Sequence, residues 1–521
     1  MLGCVKRIFL RITIRSFLLS QPDSPSLIFS ALFKTSRMTE ARQLLDLITR
    51  TADTLQELCA DYPSTLNDPS HSEPTTSNDI KVQRLATTVS VAALQLAAIF
   101  EPPQISLLHV ASGALKTAAL RVCLEGNVTE ILREAGPQGL HVREITAFND
   151  LDPRTLARLL RYLASFHVYR EVSPDTFTNN RVSTVMDTGK SVAELFRSPE
   201  TKHDNTNGFP AFLSHQMDEI SKAAAYSWEA ITDPRYPSIT PLEKALLSER
   251  DGEVGVKPAD SSSFFDFLQR PEQAHRHRRF AIAMEGMAAI QPLDCLSRAY
   301  NWDSLPENAL VVDVGGGVGT ISLELAKQFP KLKFIVQDLP SFIEKGKALW
   351  AERQPETLES GRAILQAHDF FTPQPQENAS IFLLRHVIHN WSDEDCIKIL
   401  SLLRRAARDD TTLLILEIIM PYACRKESSD DTSKNTEIPG ATAEEAPVPL
   451  LPNFGAGNEF AHVLDMTMFS ILKGASERTI DQFSLLLLKS GWKVVKVNRL
   501  SGDAAMWQAI EAIPFAEIHR L

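Results

Sequence analysis

The run Leu310-Val-Val-Asp-Val-Gly-Gly-Gly-Val-Gly-Thr320 constrains this chain more than any other stretch. Its first five residues are apolar or β-branched apart from Asp313, as a strand buried in a parallel sheet is. Three consecutive glycines and Gly319 then let the backbone turn sharply and approach a ligand with no Cβ in the way. Residues 321–329 carry the helical period, which aims a helix N-terminus at whatever lies over the glycines. Residues 334–337 read as the next strand. It ends at Asp338, an acid about 20 residues beyond the glycines, where it can accept hydrogen bonds from ribose hydroxyls. The pattern predicts a nucleoside site in a doubly wound α/β sheet.

The chain beyond agrees. Residues 363–367, 380–384 and 412–420 read as further strands, and Ser392 caps a helix running to Ala407. Residues 492–500 and 505–510 can pair as a closing hairpin, so that 301–521 forms one sheet domain. Between Cys424 and Gly457 the chain is rich in Ser, Thr, Glu, Asp and Pro, with almost no aromatics. Such a composition buries too little surface to order itself, and 425–457 is expected to be a disordered insertion.

Upstream, short helices at 114–124 and 129–135 and one opening at His141 precede the N-cap and proline pair Asp152-Pro153 and a helix at 155–164. Two alternating strands, 168–172 and 176–182, flank Ser173-Pro-Asp175. Helix, turn, helix and hairpin over 79–190 make a winged helix. One role for it is DNA reading, with Arg154, Arg158, Arg161, Arg170 and Arg181 on phosphates. The other is a dimerisation scaffold. No basic arm flanks it, Leu156, Leu159, Leu160 and Leu163 are apolar core positions, and the scaffold is the preferred reading. The apolar helical face of 79–101 points the same way, toward a second subunit.

The net charge of -11 argues against a general nucleic-acid or anionic-membrane binder. The six cysteines are scattered without a CxxC, as expected of reduced thiols in a cytosolic protein. No run approaches the length of a membrane span. Residues 1–38 carry Lys6, Arg7, Arg11, Arg15, Lys34 and Arg37 against Asp23 alone. This composition resembles a mitochondrial presequence; the plainer expectation is a disordered extension, with ordered helix beginning at Thr39 and a polar linker following up to residue 78. Residues 191–300 read as a helical connecting region. Within it His275-Arg-His-Arg-Arg279 looks like a solvated helix face, and Phe280 and Met284 lie one turn apart on one side.

The C-terminal ends of the fourth and fifth strands face the ligand crevice of such a sheet. His389 lies at the first and is the leading general base, its ordinary pKa of about 6.5 being nearest to neutral pH. His386 and His368 compete with it. Glu417 and Glu477 are the acids able to fix its tautomer. No HxxxH-type ligand set is present, so no metal is expected. For a dinucleotide turn a third Gly or Ala is due where Thr320 or, in a shifted frame, Ser322 stands. An NAD-dependent oxidoreductase therefore fits less well than a site for adenosine and an amino-acid tail, with Asp313 on the strand.

From about Gln83 onward the chain resembles the plant- and fungal-type small-molecule O-methyltransferases that use S-adenosylmethionine, most closely the fungal branch. The resemblance rests on Val312-Asp-Val-Gly-Gly-Gly-Val-Gly319, Val336-Gln-Asp-Leu-Pro340, His368-Asp-Phe-Phe371, His389-Asn-Trp-Ser-Asp-Glu-Asp-Cys396 and Gly474-Ala-Ser-Glu-Arg-Thr479, in that order. It implies that Gly315 and Gly317 line the cofactor, that Asp338 binds the ribose, and that Asp369 and Phe370 flank the adenine. Leu339, Asp313 and Arg385 complete the implied cofactor set. It implies His389 as the base bracketed by Glu417 and Glu477, an acceptor pocket walled by Phe280, Met284, Met468 and Leu472, and a homodimer through the winged-helix part. The chain departs from the pattern at Arg385, where Lys is usual, and at Asn390, where Asp is.

Overall fold

The computed structural model describes residues 26–59, 66–67, 80–235, 239–250, 264–290, 294–425, 438–500 and 506–515. Expectations for residues 1–25 and for most of the polar linker lie outside the described residues.

The N-terminal region is helical: α1 (Ser26–Leu58), α2 (Ile80–Phe100), α3 (Pro103–Ala111), α4 (Gly113–Glu125) and α5 (Val128–Ala135). Helix α1 starts at Ser26, not at Thr39 as expected, so no structural boundary falls at Met38. At 21 residues α2 is long and apolar enough to cross a membrane on length and composition, contrary to the reading above. In the structure its Val91 and Ala92 pack against Leu44 of α1.

After α5 come β1 (Leu140–His141), α6 (Val142–Asn149), α7 (Pro153–Ala164), β2 (Arg170–Ser173) and β3 (Thr176–Thr178). The strands form a three-stranded antiparallel sheet in the order β1-β3-β2. His141 caps α6 by accepting from the Arg143 N–H, and Asp152 caps α7 through Thr155. Helix α7 buries Leu156, Ala157, Leu160 and Leu163, one apolar stripe at helical spacing. Arg161, a candidate phosphate contact, is held by Glu171 and Asp175 of the hairpin.

The connecting region includes α8 (Phe209–His215), a π-helical turn over Gln216–Ile220, and α9 (Ala274–Ile290). The basic cluster on α9 is not a uniformly solvated face. Arg279 is buried, donating to Ser214, Asp218 and Glu219, and Arg276 reaches Asp218 as well. A charge is buried at this cost only where opposite charges and hydrogen bonds replace water, and the π turn supplies both acids.

The large sheet contains β4 (Leu310–Val314), β5 (Lys333–Asp338), β6 (Ala363–Ala367), β7 (Ile381–Arg385), β8 (Thr412–Ile418), β9 (Trp492–Arg499) and β10 (Trp507–Pro514). Their order is β6-β5-β4-β7-β8-β10-β9, and β10 pairs antiparallel with both neighbours while the remaining pairs are parallel. Helices on both faces explain why Val311, Val312, Leu383, Leu384 and Leu414 are wholly buried. They include α10 (Thr320–Gln328), α11 (Asp393–Ala406), α12 (Glu459–Ile471) and α13 (Ile480–Lys489). The winding reverses between β4 and β7, and the crevice beyond their C-terminal ends is where such sheets take ligands.

Part of the expected disordered insertion is ordered. Residues 426–437 lie outside the described residues, but 438–457 are packed. Ala446 and Leu450 are buried against Leu44, Val91 and Ala92, with Phe454 beside them. Arg425 donates to the carbonyls of Ala446 and Leu450. Pro439 accepts from the Val497 N–H, and Arg499 donates to Gly440 and Ala441. The few apolar residues in the segment find partners on α1, α2 and β9, which composition alone does not reveal.

Candidate active site

The glycine turn closes directly on the sheet. The N–H groups of Gly315 and Gly316 both donate to the Gln337 carbonyl of β5, at 2.8 and 3.0 Å. Gly315, Gly317 and Gly319 have φ of +71°, +60° and +77°, a region that L side chains avoid. Among the described residues a Cβ on Gly317 would meet no atom within 4 Å, which leaves open space over this residue. Asp338 holds the turn from the β5 side: its Oδ2 accepts from the Gly317 N–H at 2.8 Å and its Oδ1 from Leu339 at 2.7 Å. Burial raises the Asp338 carboxyl above its ordinary range.

Asp313, expected to face the cofactor, lies beneath the turn. Its Oδ2 accepts from Ser322 at 2.6 Å, burial lifts its pKa to about 6, and a Cβ on Gly316 would lie 2.6 Å from its carboxylate. It shapes the turn from below. Phe370 leans over Gly315, with a ring atom 3.4 Å from where a Cβ would stand, and joins Phe371 and Trp391 in an aromatic wall. Asp369 is exposed beside it and Leu339 is half-exposed. Arg385 ends β7, its guanidinium pKa lowered by burial. An open turn lined by positive-φ glycines, an acid at the next strand end and an aromatic ring beside them fit an adenosyl ligand.

A second cluster lies where β7 and β8 end. His389 is buried on a short 3₁₀ turn, Ile388–Asn390. Its Nδ1 lies 2.7 Å from Glu477 Oε1 and 3.8 Å from Glu417 Oε2. The two acids have different tasks. Glu477 pairs with the imidazole, and its own N–H donates to Asp465. Glu417 Oε1 accepts from the Val387 and Ile388 N–H groups at 3.0 and 2.9 Å, fastening the turn that carries His389. Burial raises Glu417 above the usual carboxylate range. Burial also pushes His389 down, but Glu417 and the Glu477 hydrogen bond outweigh it, and its pKa rises to about 9.

Arg478, to which the sequence reading gave no role, clamps the same turn. It is 2 % exposed, donates to the carbonyls of Ile388 and Trp391, and pairs with Asp393. Its only sequence signal is its place directly after Glu477. Asn390 donates to the His386 carbonyl.

Of the expected acceptor wall, Phe280 and Leu472 join one apolar cluster with Phe264, Phe267 and Ile471. Met468 is buried one turn before Leu472 on α12, whereas Met284 is exposed and outside that cluster. His215 stands edge-on to Phe280 with ring centroids 5.2 Å apart, its Nδ1 on Glu219 at 3.0 Å.

The comparisons with known proteins settle the class. An O-methyltransferase domain family matches residues 255–438. The chain is 42% identical over 479 residues to the 4-O-methyltransferase 1 of Phanerochaete chrysosporium, covering 91% of this chain and 99% of that protein. The chain belongs to the S-adenosylmethionine-dependent O-methyltransferases. Its fold is also that of the mitomycin 7-O-methyltransferase MmcR (TM-score 0.54, 21% identity, 81% of this chain and 99% of that one). LepI, solved in complex with S-adenosylmethionine, shares it too (TM-score 0.57, 16% identity, 91% and 100%). S-adenosylmethionine is thus the cofactor of this methyltransferase.

Proposed function

We propose that this methyltransferase transfers its methyl group to a phenolic hydroxyl of a small aromatic or polyketide-like secondary metabolite, with His389 as general base. The observation that carries this reading is the 2.7 Å contact of His389 Nδ1 with the buried Glu477. A carboxylate on Nδ1 keeps the ring proton there and leaves Nε2 free to accept another. When bound, S-adenosylmethionine supplies an electrophilic methyl group and a positive charge. Gly315, Gly317, Asp338, Asp369, Phe370, Leu339 and Arg385 are the residues assigned to hold it. A phenol, with a pKa of about 10 taken from tyrosine, is a weak nucleophile at neutral pH. His389 removes its proton as the oxygen attacks, and Glu417 and Glu477 stabilise the imidazolium that forms. Phe280, Met468 and Leu472 wall the acceptor, excluding water and holding the ring in line.

The His389→Ala variant should bind the cofactor with unchanged affinity by calorimetry and lose methyl transfer to a phenol panel by about 10²-fold or more. Turnover near that of the parent protein rules out His389 as the base. The working unit is a cytosolic homodimer in this reading. Leu94, Phe100, Leu107, Leu108, Val110 and Leu115 expose an apolar surface on α2 to α4 suited to a second copy. A monomeric mass by light scattering at micromolar concentration refutes that part alone.

A further inference from the structure

His386 has no part in the methyl-transfer scheme above, yet the chain goes to some trouble to place it. Its φ is +52°, a conformation that costs free energy for any residue with a side chain and persists only where the surroundings enforce it. Here the surroundings are the Leu416 carbonyl, which accepts its N–H, and Asn390, which donates to its carbonyl. The result is a second imidazole beside His389, with ring centroids 5.5 Å apart. Both face the same carboxylate oxygen: Glu417 Oε2 lies 4.0 Å from His386 Nδ1 and 3.8 Å from His389 Nδ1. That oxygen is fully buried and makes no hydrogen bond among the described residues, although its twin Oε1 accepts two. Glu477 Oε2 is buried and unbonded among the described residues as well. A buried carboxylate oxygen left without a donor is unfavourable, and the cost is relieved by any cation that reaches it.

We propose that His386, His389 and Glu417 form a binding site for a divalent transition metal of the zinc type, occupied in the cofactor-free enzyme and incompatible with methyl transfer. The donors of the three residues lie within 4.8 Å of one another. Two imidazole nitrogens and one carboxylate oxygen are a ligand set that zinc favours, and they leave a fourth position for Glu477 or water. Zinc bonds of about 2.0–2.2 Å put tetrahedral donors about 3.4 Å apart, so the pairs at 3.8 and 4.0 Å close by about half an ångström, and donors up to 4.8 Å apart close by about 1.4 Å at most.

The site borders the glycine turn: Val387, next to His386, has its Cγ2 3.0 Å from where a Cβ on Gly315 would stand. Two consequences follow. A divalent ion and the cofactor's positive charge repel each other across this short distance, so each binds less tightly when the other is present. An ion on His389 Nδ1 replaces the hydrogen bond to Glu477 there and forces the ring proton onto Nε2, the nitrogen that the proposed reaction needs bare. This second consequence rests on the reading of His389 as base; metal binding itself does not.

The test is cobalt(II) absorption and zinc(II) calorimetry on the metal-stripped, cofactor-free protein and on His386→Asn. Asparagine tolerates the positive φ but withdraws the imidazole. The parent protein should bind one equivalent of Co²⁺ with the visible bands of a four- or five-coordinate site, and added cofactor should weaken Zn²⁺ binding. His386→Asn should raise the Zn²⁺ dissociation constant by at least about 10-fold while keeping methyl transfer without metal and losing its inhibition by Zn²⁺. That retained activity also shows that the variant is folded. Absence of Co²⁺ bands, or Zn²⁺ affinity unchanged in both His386→Asn and His389→Ala, overturns the proposal. Because the binding measurements need no turnover, they stand even if His389 proves not to be the base.

Discussion

Replacing Glu477 with Gln tests the electrostatic core of the site. The side chain keeps its size and can still accept from His389 Nδ1, but it loses its charge. In the parent protein the His389 pKa rises from the ordinary 6.5 to about 9 against the opposing effect of burial. That difference is worth roughly 3 kcal/mol at the free energy of one pKa step. Glu417 and Glu477 share it, so removing one charge should forfeit roughly half. In the proposed reaction the same carboxylates stabilise the imidazolium formed as the phenol loses its proton, so methyl transfer should fall about 10- to 30-fold. The sign for pH follows directly. Only neutral His389 accepts a proton, so the rate rises with pH up to its pKa, and a lower pKa moves that limb toward acid. In Glu477→Gln the limb should shift down by about one pH unit while the plateau drops. The assay is single-turnover methyl transfer from pH 6 to 10 with saturating cofactor, together with NMR titration of the imidazole in the cofactor-free protein. A rate loss with the acid limb unmoved would refute the reasoning, since Glu477 would then act through packing alone.

Three further outcomes are expected. Asp338→Ala removes a half-buried acceptor used by the Gly317 and Leu339 N–H groups and assigned to the ribose, and should weaken cofactor binding about 10- to 100-fold by calorimetry. Arg279→Met strips Asp218 and Glu219 of a buried partner; with Arg276 still on Asp218, urea unfolding should show a loss toward the lower end of about 3–5 kcal/mol. Leu450→Ala opens a cavity between the ordered part of the insertion and α1 and α2. It should cost about 2–5 kcal/mol locally, read as faster proteolysis between residues 438 and 457, with cofactor affinity unchanged.

The sheet and its cofactor end were readable from residue order because the information is local. Glycine after glycine, an acid at the next strand end, and β-branched runs of strand length are each decided within a few residues. Which acid does what around His389 was not. Glu417 and Glu477 looked equivalent in the chain, and only their placement separates them: one fastens the Val387 and Ile388 N–H groups, the other meets the imidazole. The arginine run on α9 misled for the same reason. Solvation of a charge depends on what the fold brings beside it, and the partners of Arg279 lie some 60 residues earlier, on a π turn that no period announces. The insertion misled through its composition, since its buried residues, Ala446 and Leu450, rest on helices from the far end of the chain.

Local stereochemistry thus made the glycine turn recognisable and, with it, the cofactor class. Tertiary packing decided the rest: that Asp313 lies under the turn, that Arg478 clamps the turn carrying His389, and that His386 shares Glu417 with His389. Backbone conformation is chosen by neighbouring residues, whereas charge, burial and ligand geometry are set by groups that meet only once the sheet has closed.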